Sequence, residues 1–182
     1  MDWARILEIR PGVTAVIGGG GKTTLLRTVG EELAAAGHTV LLCATAKIYP
    51  FDGLLCVTEP EEEALLAARG QSRLICAGTP LEGGKLTAPS LPMARLAALF
   101  DYVLVEADGS ARLPLKAHAP HEPVIPAEAG QTVCVVGASG FGRPIREAAH
   151  RPERYAALAG AAEEDLVTPA IAAAVLRAEG LH

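Results

Sequence analysis

At 182 residues, half of them hydrophobic, the chain is long enough for one well-buried domain, and any second unit would be a small appendage. A net charge of -5 and a pI near 5.5 argue against a general nucleic-acid surface and leave small anions or proteins as the expected partners. No apolar run approaches the roughly 18 residues that span a bilayer, and residues 1–5 are not a charged-then-apolar leader, so a cytoplasmic protein without membrane contact is expected.

Residues 13–17 form an apolar, β-branched run, followed at once by Gly18, Gly19, Gly20, Gly21, Lys22, Thr23 and Thr24. The order is strand, phosphate-binding loop, helix start. Glycines let backbone N–H groups approach phosphate oxygens, Lys22 brings a mobile positive charge, and the Thr23 hydroxyl is placed to ligate Mg²⁺ at the positive helix end. The standard spacing would put a first glycine at Val16, so the closer pattern is Gly-Gly-x-Gly-Lys-Thr-Thr over 18–24. Ile17 occupies the place where some such loops carry an extra lysine, so a trans-acting lysine is not expected. A plain glycine-rich turn is the competing reading.

A helix is predicted over 22–36, closed by Gly37, then a strand over 39–43. The exit of that strand, Ala44-Thr45-Ala46-Lys47, either adds Thr45 to a Mg²⁺ shell and Lys47 to a substrate or phosphate, or is a loop with a solvated lysine. Asp52-Gly53 marks a turn before a strand over 54–57; Thr58 is placed to cap a helix over 61–69, with Gly70 closing it. A strand at 74–76, a turn at Gly83-Gly84 and a helix over 93–100 follow. Cys43, Cys56, Cys76 and Cys134 each sit in an apolar β-type run without CxxC spacing, which reads as buried thiols.

The strand over 102–105 delivers Glu106 and Asp108 at its carboxyl end, and Gly109 follows. In open α/β sheets ligands bind at that edge. The spacing is that of an acid-x-x-Gly switch, with Glu106 or Asp108 for Mg²⁺ or an attacking water and the Gly109 N–H for the terminal phosphate; a solvent-facing acid pair is the alternative. Residues 112–126 are pinned by prolines and carry Lys116, His118, His121 and Glu122, which suits a loop that contacts substrate. Two histidines three apart also raise zinc, but no third ligand lies at zinc spacing. A strand over 132–136, a glycine turn with Arg143, and alanine-rich helices over 150–158 and 169–179 complete the chain.

The strands are continuous apolar runs rather than alternating ones, as in strands buried on both faces. The expected fold is therefore α/β, three-layered, with a mostly parallel sheet and helices on both faces. One domain over 1–182 is expected, with 143–182 as a mainly helical C-terminal extension.

The loop at 18–24, Lys47, Val105-Glu106-Ala107-Asp108-Gly109-Ser110, Leu113-Pro114-Leu115-Lys116-Ala117, His121-Glu122-Pro123-Val124-Ile125-Pro126 and His150-Arg151-Pro152-Glu153 together resemble the YqeC family. The resemblance implies a P-loop NTPase-like fold and an accessory role in maturing a selenium-dependent molybdenum hydroxylase or its cofactor. Carried over by position, it implies Lys22, Thr23, Glu106, Asp108 and Lys116 as the site. The chain departs from the family at Ala44 and Ala46, where relatives are richer in threonine. The first functional expectation is a Mg²⁺-dependent hydrolase of ATP or GTP that acts on a partner. The alternatives are a small-molecule kinase or cofactor transferase, with Lys116 and His121 on the acceptor, and a nucleotide-dependent binding protein that scarcely hydrolyses. Base preference and oligomeric state are not legible.

Overall fold

The computed structural model describes residues 2–181. In chain order its elements are α1 (Trp3–Ile6), β1 (Gly12–Gly18), α2 (Lys22–Ala35), β2 (Val40–Ala44), β3 (Leu55–Thr58), α3 (Glu62–Gln71), β4 (Leu74–Pro80), β5 (Leu86–Thr87), α4 (Met93–Leu99), β6 (Tyr102–Glu106), β7 (Leu115–Lys116), β8 (Ala129–Val135), α5 (Ile145–Ala148), β9 (Ala149–His150), α6 (Pro152–Ala159) and α7 (Pro169–Ala178). The chain divides into two compact units. Of the described residues, the first comprises 2–16, 23–108 and 124–133; the second comprises 17–22, 109–123 and 134–181.

The first unit carries most of a sheet ordered β3-β4-β2-β6-β1-β8, with β5 antiparallel on β4. The pairs β3–β4, β4–β2, β2–β6 and β6–β1 are all parallel. Such a sheet needs cover on both faces, because its central strands are almost continuously apolar, with Glu106 the charged exception at the end of β6. Every residue of β2 and of β6 is buried. On one face Leu41, Cys43, Ile75, Ala77, Val103 and Val105 pack with Leu65 and Ala68 of α3 and Leu96 and Leu99 of α4. On the other, α2 comes so close that a methyl group at Gly30 would lie 2.9 Å from Leu74 and 3.2 Å from Leu42. The fold is α/β with a mostly parallel central sheet flanked by helices. Among the described residues no helix is long and apolar enough to cross a membrane.

Several local expectations shift: the strand expected at 74–76 runs to Pro80, and the one expected over 132–136 begins at Ala129. Helix α3 runs through Gly70 to Gln71, and Ser72 rather than a glycine closes it, donating its N–H to Ala68. Its N-cap is Glu61 without a side-chain cap, because Thr58 is held in strand β3.

In the second unit, Leu115, Ala117, Ile145, Ala148, Ala149, Tyr155, Ala156, Val167 and Val175 form a separate core. Strands β7 and β9 pair in parallel there, setting Leu115 opposite Ala149 and Lys116 opposite His150. Helix α6 starts with Pro152 in its first turn behind Arg151, whose φ of 65° is left-handed.

Candidate functional site

The register of the first unit sets Val16 of β1 and Ala44 of β2 level with Glu106 of β6. β2 and β6 therefore end at one height, β1 runs on past it, and the acid stands on the middle strand of the three. Beyond it, the Ala107 N–H donates to the Val16 carbonyl at 3.0 Å and the Val124 N–H donates to the Ala107 carbonyl at 3.0 Å. The chain is thus held in line as far as Asp108, which is 2% exposed.

Thr23 opens the first turn of α2 and is exposed. Its hydroxyl donates to Glu106 Oε2 at 2.8 Å. Two residues 83 apart in sequence thus meet as a pair of hard oxygen donors at a helix start. Thr45 belongs to the same group: its N–H donates to the Glu106 carbonyl at 3.0 Å and its hydroxyl donates to the Val124 carbonyl at 2.7 Å. Lys47 is exposed at the end of that turn.

In the second unit the glycine loop has a defined shape. Gly18 and Gly21 have φ of 100° and 99°, a conformation that favours glycine. Gly19 is required for a different reason: a methyl group there would lie 1.9 Å from the Pro114 carbonyl oxygen. The Gly19 N–H donates to Val135 at 2.8 Å and the Gly20 N–H donates to Pro114 at 3.0 Å. Pro114 also accepts the Gly137 N–H at 2.9 Å, so one carbonyl fastens two glycine segments. Lys22 is 3% exposed, and its ammonium donates to the Gly18 carbonyl at 2.8 Å, across the loop it closes. Two loop N–H groups are therefore committed to protein carbonyls.

The proline-pinned segment holds an ionic cluster. The Lys116 side chain is fully buried, with Nζ 3.0 Å from Glu122 Oε2 and 2.5 Å from the Gly109 carbonyl that accepts from it. Arg151 donates to the same Glu122 oxygen at 2.7 Å and to the Ala117 carbonyl at 3.0 Å. Burial pushes the Glu122 carboxyl up, but hydrogen bonds from Arg151 and Lys116 outweigh it and bring it down to about 2. Burial first, then the charges of Arg151 and Lys116, hold the neighbouring His150 below the usual imidazole range. Glu179 at the end of α7 accepts the His118 N–H at 2.6 Å through one oxygen and pairs with Nδ1 at 2.7 Å through the other. His121 is exposed.

The structure thus joins Thr23, Thr45 and Glu106 in one unit, and ties Lys116 into an ion pair and His118 to the Glu179 carboxylate in the other. Sequence reasoning missed the partners Arg151 and Glu179 and the fastening role of Pro114. The clustering of charge in 112–122 announced that partners exist, but no local pattern says which distant residues they are. Among the described residues no group of three or more His, Cys, Asp or Glu stands ready to hold a metal ion by itself.

A family model described as YqeC protein matches residues 14–153. The uncharacterized protein YqeC of Escherichia coli (strain K12) is 32% identical over 158 residues, which are 83% of this chain and 62% of that protein. The chain therefore spans less than two thirds of that relative's length. No solved structure matches it.

Proposed function

The chain belongs to the YqeC family, and from that premise we infer that it is a Mg²⁺-dependent nucleoside triphosphatase with a P-loop NTPase-like fold. The observation that carries this reading is the 2.8 Å hydrogen bond from Thr23 to Glu106. A threonine directly after the loop lysine, held by an acid on the adjoining parallel strand, is the donor set that a phosphate-bound Mg²⁺ requires: few protein ligands, all hard oxygens. The residues present fit the ion, with Thr23 and Glu106 as its holders and Asp108 beside them in sequence. Bound there, Mg²⁺ would neutralise charge on the phosphate oxygens.

The chain's own residues do the remainder. Glu106 fixes the rotamer of the Thr23 hydroxyl before any ligand arrives. Lys22, whose ammonium already reaches across the loop, exchanges the Gly18 carbonyl for phosphate oxygens. Gly109 offers its N–H to the terminal phosphate, and Thr45 ties the exit of β2 to the Glu106 backbone, so that loss of the phosphate is felt in that loop. The triphosphate is ATP or GTP. The family resemblance supplies the setting: an accessory factor for a selenium-dependent molybdenum hydroxylase or its cofactor, which is the partner on which hydrolysis would act.

Calorimetric titration with Mg·ATP and Mg·GTP tests the reading. The expected result is binding of one of them and phosphate release without an acceptor, with at least tenfold weaker affinity in Lys22→Ala, about 1.4 kcal/mol. An unchanged dissociation constant in that variant would remove the basis for the assignment.

A further inference from the structure

Two of the four cysteines meet. Cys56 of β3 and Cys76 of β4 are 20 positions apart, yet the parallel register sets them directly opposite one another. Residues in register on neighbouring strands point to the same face, and such strands run about 4.8 Å apart. A disulfide accepts Cα separations of about 4.4–6.8 Å, so the pair lies inside the range that the bond spans. The two thiols are close enough for each to shift the other's ionisation.

Their surroundings differ in the way a reactive pair requires. Cys76 is 1% exposed, whereas Cys56 is half-buried. Strand β3 is four residues long, with exposed ends, and stands last in the sheet order. A short edge strand can move the few tenths of an ångström that bond formation asks, which a central strand cannot. Cys43, in the central strand β2, is the contrast: fully buried, with its thiol pushed up to about 12 by burial.

We propose that Cys56 and Cys76 are a closable dithiol: a hydroperoxide oxidises Cys56, and Cys76 then closes a disulfide between β3 and β4. In the first step the Cys56 thiolate attacks one peroxide oxygen and the O–O bond breaks. With hydrogen peroxide, the second oxygen leaves as water after taking a proton, and Cys56 becomes a sulfenic acid. In the second step the Cys76 sulfur attacks the Cys56 sulfur, the S–O bond breaks, and the hydroxyl leaves as water with the Cys76 proton. Each sulfur is oxidised by one electron overall, and one peroxide is reduced to two waters. The neighbouring Cys76 thiol favours the thiolate on Cys56, lowering that thiol to about 7, while Cys76 itself is raised. Oxidation of Cys56 removes the negative charge that held the Cys76 proton, which readies the second thiol only after the first has reacted.

The inference is independent of the nucleotide reading. The test treats the reduced full-length chain with one equivalent of hydrogen peroxide, blocks remaining thiols with iodoacetamide, and digests it without reductant for mass spectrometry. The expected product is a Cys56–Cys76 linked peptide lighter by two hydrogens, with Cys43 carrying the alkyl group after unfolding. Separately alkylated Cys56 and Cys76 peptides, or Cys56 carried on to sulfinic acid without linkage, would overturn the proposal. In Cys76→Ser the reaction should stop at a sulfenic acid on Cys56 that dimedone traps. Should that variant not fold, dimedone in excess on the native chain gives the same reading, and an adduct on Cys76 instead of Cys56 would overturn the assigned order.

Discussion

Lys116 Nζ lies 3.0 Å from Glu122 Oε2, with the lysine side chain wholly withdrawn from solvent. Removing a carboxylate from beside a buried ammonium leaves a poorly compensated charge, and Glu122 also serves Arg151 at 2.7 Å. Glu122→Gln should therefore cost about 3 kcal/mol of unfolding free energy, the range for removing one partner of a buried pair. Lys116→Met should cost less, since Glu122 keeps Arg151. Urea unfolding of the three proteins at neutral pH measures the order, and equal losses in both variants would show that the cluster is not organised around the carboxylate.

The same carboxylate sets an acid limit. Its native value is about 2 against an ordinary 4.5. Between those values the unfolded chain binds more protons than the native one, so stability rises with pH across that window. The contribution is complete above 4.5 and drains as pH falls toward 2. Acid titration of the urea midpoint should show this slope in the wild type and a shallower one in Glu122→Gln; parallel curves would place the acid sensitivity elsewhere.

Thr23 is exposed, so its bond to Glu106 is worth little to the fold. Thr23→Val should change stability by about 1 kcal/mol or less. Its effect should appear in the ion dependence of nucleotide binding: the wild type should bind the triphosphate more tightly with Mg²⁺ than with excess chelator, and the variant should lose most of that difference. Equal gains from Mg²⁺ in both proteins would separate Thr23 from the cation.

Two glycines predict opposite signs. At Gly19 an added methyl group would lie 1.9 Å from a backbone oxygen of Pro114, and backbone cannot swing aside as a flexible side chain can. Gly19→Ala should destabilise by about 3 kcal/mol, at the upper end of overpacking costs. Gly70 sits exposed in α3 with nothing within 4 Å of the added carbon. Gly70→Ala should stabilise by about 0.5–1 kcal/mol, the helix preference of alanine over glycine. Thermal melts of both variants decide this.

Gly70 also shows where sequence reading stops. The six main strands and helices α2, α3 and α4 were legible, because continuous apolar runs and helical spacing are properties of short windows, whereas the one-turn α1 was not. Gly70 and Thr58 misled because glycine and threonine signal an end only when the backbone places them there: the helix carries Gly70 in its last turn, and the edge strand claims Thr58. The two-residue strands β7 and β9 and the one-turn α5 are too short to show a period. At the site, Thr23 and Glu106 were legible as motif members. The roles of Lys116 and His118 were not, since burial and partner choice depend on residues up to 61 positions away. The same limit hid the dithiol, where CxxC spacing was absent but strand register brought two cysteines opposite.

Glu179 and His118 provide the sharpest case of that long reach. One carboxylate accepts both the backbone N–H and the ring Nδ1 of His118, and the two side chains are only 9% and 7% exposed. The two truncations are therefore unequal. His118→Ala removes the ring but leaves the backbone N–H to the carboxylate, so Glu179 keeps one of its two bonds. Glu179→Ala withdraws the acceptor from both donors at once, and each loses a charge-assisted hydrogen bond, about 1.5–3 kcal/mol apiece. Glu179→Ala should thus be the more destabilising by about 1–2 kcal/mol, since the His118→Ala loss includes its own buried ring area. The double variant should cost less than the sum of the singles, because the ring bond is counted in both. Equilibrium unfolding of the four proteins completes the cycle; strict additivity would mean that the helix end and the histidine stand side by side without energetic coupling.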